Sequence, residues 1–149
     1  MDANIDRRRL LHCMAWVGTG VIWTFAGGVP RSLRVEEARA ADLAGLSFAQ
    51  ISDSHIGFNK AANPDPLLTL NLALDKVRAL PERPALMLHT GDVTHLSKPA
   101  EFDTAAQLIG GLGLPTFYVP GEHDVIDEGA GRAWLDRYGK DTQGAGWYS

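Results

Sequence analysis

The sequence predicts an α/β fold of order β-α-β-α-β, and three observations carry that prediction. Three short apolar runs, 46–51, 85–88 and 116–119, are separated by stretches with helical periodicity. Their largely unbroken apolar character suits parallel strands buried on both faces. Each run leads into acidic or imidazole side chains: Asp53 and His55, then Asp92, then Glu122, His123 and Asp124. Sites of α/β sheets form at the carboxyl ends of strands, so three such ends can build one centre.

Leu46 to Ile51 reads as the first strand, followed by a loop containing Gly57, Asn59 and Asn63-Pro64. Asp65-Pro66 has the form of a helix N-cap with proline in the first turn. Leu67, Leu70, Leu74 and Val77 share one helical face, and Asn71, Asp75 and Arg78 lie on another. Pro81 and Pro84 end that helix. Ala85 to Leu88 is the second strand, running through His89-Thr90 into Gly91-Asp92, with His89 expected as a satisfied core residue.

Ser97 is predicted to cap a second helix that turns Phe102, Ala105, Ala106 and Ile109 inward and closes at Gly110-Gly111. Lys98, Glu101 and Asp103 read as its solvated face. Thr116 to Val119 is the third strand, broken by Pro120-Gly121. Trp134, Leu135 and Tyr138 mark a short amphipathic segment, and Gly146-Trp147-Tyr148-Ser149 reads as the opening of another strand. This order calls for a parallel sheet with right-handed crossovers.

The chain has 149 residues, room for one ordinary domain, and a net charge of -4. Residues 1–40 sum to +2 and residues 41–149 to -6. The acidic body leaves no broad basic face for nucleic acid, and it suits a site that gathers carboxylates around cations. Cys13 is the single cysteine, so no internal disulfide is possible.

Residues 1–40 read as an export signal, leaving 41–149 as the amino-terminal part of the working domain. Arg7-Arg8-Arg9 precedes an uncharged apolar stretch reaching Pro30, and Ala38-Arg39-Ala40 places small residues as signal peptidase requires. Paired arginines followed by Leu10-Leu11 resemble a twin-arginine signal, and Gly18, Gly20, Gly27 and Gly28 give the moderate hydrophobicity of that route. Asp6 departs from it, standing where Ser or Thr is commoner. The resemblance implies the export machinery as a partner and a periplasmic or extracellular location, with no stable membrane association once the signal is cleaved. The alternative is an uncleaved anchor spanning residues 10–30.

Taken together, Asp53-Ser54-His55, Gly91-Asp92-Val93-Thr94-His95 and Gly121-Glu122-His123-Asp124 resemble the calcineurin-like metallophosphoesterases. That family's pattern is Asp-x-His, a Gly-Asp motif and Gly-Asn-His-Asp/Glu, each at a strand end. The resemblance implies the amino-terminal β-α-β-α-β half of that family's α/β sandwich. It also implies hydrolysis of a phosphomonoester or phosphodiester by metal-bound hydroxide at a dinuclear centre. Two divalent cations about 3.5–4 Å apart can orient an anionic ester and stabilise its added charge. Imidazole among the ligands favours Mn, Fe or Zn over Ca. Asp53 and His55 would bind the first metal, Asp92 would bridge, and Glu122 would serve the second. His123 would protonate the leaving oxygen while Asp124 orients its ring.

Two departures bear on that expectation. Glu122 replaces a neutral amide with a carboxylate, and His95 stands where many members carry an acid, open to three readings: a metal ligand, a contact to substrate phosphate, or neither. The family's later histidine motifs have no counterpart after His123, so the second half of the sheet is expected to be missing from this chain. A non-catalytic metal- or partner-binding module of the same fold is the alternative function. The resemblance implies a small phosphoester as substrate, of a class the residues do not specify.

Overall fold

The computed structural model describes residues 21–26, 29–34 and 46–142. One five-stranded sheet contains β1 (Val21–Ala26), β2 (Val29–Arg34), β3 (Ser47–Ile51), β4 (Leu86–His89) and β5 (Thr116–Tyr118). Its spatial order is β2-β1-β3-β4-β5. Helix α1 (Pro66–Arg78) links β3 to β4, α2 (Pro99–Gly110) links β4 to β5, and α3 (Arg132–Tyr138) follows β5. The parallel β3-β4-β5 unit with its two crossover helices is the β-α-β-α-β order read from the sequence.

The other side of the sheet was not anticipated. β1 pairs antiparallel with both β2 and β3, so residues assigned to an export signal add two strands. Alternation explains why they can. Ile22 and Thr24 are buried, while Trp23 stacks on Phe48 at 6.1 Å and donates to Gln50 Oε1 at 2.8 Å. β-branched and aromatic side chains fit such a pleated, half-buried surface. Arg7-Arg8-Arg9, Ala38-Arg39-Ala40 and Gly146-Trp147-Tyr148-Ser149 lie outside the described residues. Among the described residues no helix is long and apolar enough to cross a membrane.

α1 starts where Asp65 accepts a hydrogen bond from Leu68 N at 2.9 Å, a cap that contributes about 1 kcal/mol. It buries Pro66, Leu70, Leu74 and Val77, while Leu67 turns to solvent, one position off the predicted stripe. Each buried aliphatic side chain contributes about 1.5–3 kcal/mol.

α2 departs from its predicted start. Lys98 rather than Ser97 is its N-cap. Ser97 adopts a left-handed φ of 54° and donates its hydroxyl to His123 O at 2.7 Å, so it clamps a neighbouring loop. Glu101 takes over the capping, accepting from Leu96 N at 2.9 Å and Lys98 N at 3.4 Å, and it is buried rather than solvated. Phe102, Ala105 and Ile109 face the core as predicted.

Tyr138 ties α3 to the rest. It stacks on Tyr118 of β5 at 3.9 Å and meets Phe102 of α2 edge-on at 5.9 Å. Burial pushes the Tyr138 hydroxyl well above its ordinary titration range.

Candidate metal centre

Parallel pairing does not stop where β3 and β4 end. Asp53 N donates to Gly91 O, His55 N to Asp92 O and Ile56 N to Val93 O, at 2.9–3.0 Å. His95 N donates back to Ile56 O at 2.9 Å, next to a bridge between Ile56 and Thr94. These bonds set His55 beside Asp92 and His95, although the residues are far apart in sequence. Asp53, His55 and Asp92 all take left-handed φ, at 58°, 40° and 51°. Non-glycine residues are uncommon there, and such strain clusters at functional sites. Gly91, at φ 110°, packs so closely that a Cβ would lie 2.9 Å from Gly121 N.

The third loop is pinned by two aspartates. Asp92 Oδ1 accepts from His123 N at 3.0 Å, while its Oδ2 lies 3.7 Å from His55 Nε2. Asp124 is fully buried and accepts from Val93 N and Gly121 N on Oδ2, both at 3.0 Å. Its Oδ1 accepts from Thr94 N at 2.8 Å and from Thr94 Oγ1 at 3.0 Å. The carboxylate therefore holds loops together, rather than the imidazole of His123 as expected. That ring is held by His95 O, 2.8 Å from Nδ1. A carbonyl only accepts, so Nδ1 carries the proton and Nε2 is left for the cleft.

Two groups of candidate ligands result. Asp53, His55 and Asp92 each offer one ligand atom within 4.8 Å of one another, and so do His55, His95 and His123. Glu122 joins neither group. It opens a single tight helical turn, Glu122–Asp124, in which successive side chains diverge. Asp92 and Asp124 draw the next two residues inward, and the Glu122 side chain stays 87% exposed, 4.0 Å from His123 Nε2.

The electrostatics follow from this placement. Asp53, 3.8 Å from His55 Nε2, raises the affinity of His55 for a proton, against the opposing effect of burial, and Asp92 adds to it. His55 in turn lowers the titration of Asp53. Burial, followed by the like charges of His123 and His55, lowers that of His95. Beneath the site, Ser54 Oγ donates to Val93 O and lies 3.0 Å from Nε2 of His89, which is fully buried and pushed down to about 4 by desolvation. His89 is a core residue as expected, but only Nε2 is satisfied: its buried Nδ1 has no hydrogen-bond partner among the described residues.

Two carboxylates and an imidazole converging at this distance form a donor set suited to a borderline divalent cation. His95 adds a buried Nδ1 with no hydrogen-bond partner among the described residues. Beside it opens a cavity of about 450 Å³ lined by Ile56, Phe58, Pro64 and Leu67, with Phe58 edge-on to the His95 ring at 5.0 Å. The sequence motifs reached Asp53, His55, Asp92 and His123. The clamping roles of Ser97 and Glu101 carried no motif and were missed.

Comparison with known proteins agrees with this geometry. Residues 46–148 match the family model described as calcineurin-like phosphoesterase. The chain is also similar to a glycerophosphodiester phosphodiesterase GpdQ from Enterobacter lignolyticus (strain SCF1), 34% identical over 89 residues. That match takes in 53% of this chain and 30% of the relative, so the chain spans under a third of that protein. With three strand-end motifs converging and a family match over most of its length, the chain belongs to the calcineurin-like phosphoesterase family.

Proposed function

We propose that this chain carries part of the active site of a metal-dependent phosphoester hydrolase. The observation that carries the reading is the convergence of Asp53, His55 and Asp92 on one point, each held by backbone bonds between strand ends. These three residues would hold a divalent cation, Mn, Fe or Zn, which when bound supplies Lewis-acid stabilisation of the phosphoryl charge and an acidified water. A second cation is part of the same proposal.

His123 presents Nε2 to the cleft while His95 O holds Nδ1–H, the orientation a proton donor to a leaving oxygen needs. Asp124 acts on it indirectly, by fixing the loop that carries it. The cavity lined by Ile56, Phe58, Pro64 and Leu67 can receive the organic part of an ester. Similarity to a protein named as a glycerophosphodiester phosphodiesterase supports a diester as substrate. Export through the amino-terminal segment, to the periplasm or beyond, is proposed on Arg7-Arg8-Arg9 and Ala38-Arg39-Ala40 alone.

The test is hydrolysis of a chromogenic phosphodiester by the full chain with added Mn²⁺. Asp92→Ala and His123→Ala should each lower turnover by at least about 100-fold. Turnover unchanged in Asp92→Ala overturns the reading. The exposure of Glu122, away from both ligand groups, favours a second reading, a binding module that holds metal without turning over. Stoichiometric Mn²⁺ binding with no hydrolysis of mono- or diesters selects it.

A further inference from the structure

Three imidazoles meet on one side of the cleft. The ring centroids of His55 and His95, His55 and His123, and His95 and His123 are 5.9, 4.9 and 5.0 Å apart. Each offers a nitrogen within 4.8 Å of the others. The fold holds them by separate means. The Ile56–Thr94 bridge fixes His95 against the β3 end, the His95 carbonyl fixes the tautomer of His123, and Phe58 backs the His95 ring.

The chemistry of this group differs from that of the carboxylate group beside it. In neutral His123 the Nε2 lone pair faces the cleft, since Nδ1–H is committed to His95 O. His95 Nδ1 is buried and unpartnered among the described residues, an unmet demand for a hydrogen-bond or ligand partner. Three nitrogens and no carboxylate favour zinc and its near neighbours over Mg²⁺ or Mn²⁺.

We propose that His55, His95 and His123 form a three-imidazole site for a single zinc-class cation, competing with the carboxylate group for His55. When filled, it also occupies Nε2 of His123 and so withdraws the proton donor; that consequence rests on the phosphoesterase reading, whereas the binding itself does not.

Co²⁺ titration of the full chain, followed by visible d–d absorbance and displaced with Zn²⁺, tests the site with no substrate present. One cation should bind with the intense bands of a low-coordinate nitrogen site. His95→Ala should weaken Zn²⁺ by at least about 100-fold, the upper end of what losing an outer-shell partner costs. Asp92→Asn should weaken Mn²⁺ more than Zn²⁺, because Asp92 is a candidate ligand only in the carboxylate group. Because a variant can misfold, imidazole ¹⁵N spectra of the wild-type chain give a second measure: Zn²⁺ should shift His55, His95 and His123 together. Absence of Zn²⁺ binding, wild-type affinity in His95→Ala, or unmoved His95 and His123 nitrogens would each overturn the proposal. Failure to hydrolyse esters bears on none of these results.

Discussion

The two halves of the sheet differ in how they are tied to the site. On the parallel side, β3, β4 and β5 each lead into a loop that carries candidate ligands, and those loops bond to one another beyond the strand ends. On the antiparallel side, β1 and β2 contribute packing and strand pairing but no candidate ligand. A side-chain thread between the halves that reaches toward the site runs from Trp23 to Gln50 and on to Thr90. The comparison shows a fold that spends one edge on support and the other on chemistry.

Breaking the chemical side should cost most. Asp124→Ala orphans two buried N–H groups and a half-buried one, and is expected to lower stability by about 4 kcal/mol, read from urea unfolding, and to abolish metal binding. Asp124→Asn should recover only part, because an amide presents one accepting oxygen where donors meet both. Acid comes next. His89 titrates at about 4 in the fold against 6.5 when free, so the unfolded chain takes up the proton first. Stability should be full above pH 6.5 and fall by about 3 kcal/mol as pH drops toward 4. His89→Leu should remove that component of the slope.

The supporting side should yield smaller effects that leave the site alone. Ile22→Ala opens a cavity at a fully buried position and should cost about 2 kcal/mol, with Mn²⁺ affinity unchanged. Trp23→Phe loses a single hydrogen bond and should cost about 1 kcal/mol. If either variant weakened metal binding as much as Asp124→Ala, the division between the halves would be lost. Cleavage at Ala38-Arg39-Ala40 poses the same question on a larger scale, since it would remove β1 and β2 and leave β3 at the sheet edge.

What could be read from the sequence was what is local. Asp53 and His55, two residues apart after an apolar run, mean little alone, but with Gly91-Asp92 and His123-Asp124 at two further strand ends the set stands out. Which side chain of a tight turn points inward is not local. Glu122 and His123 exchange prominence because Asp92 Oδ1 grips the backbone of His123, a bond between residues of different loops. Ser97 looks like a cap until its left-handed φ sends the hydroxyl to His123 O. The segment from Val21 to Arg34 was the hardest to read, since apolar residues with interspersed glycines suit an export signal and a hairpin equally.

The four bonds on Asp124 carry an implication for motion. The amide hydrogens of Val93, Thr94 and Gly121 share one acceptor group, so none of them can exchange with solvent by a private fluctuation. They should exchange at one common rate, as a single latch spanning two loops. An incoming cation would then meet ligand loops already assembled and would have little ordering left to drive.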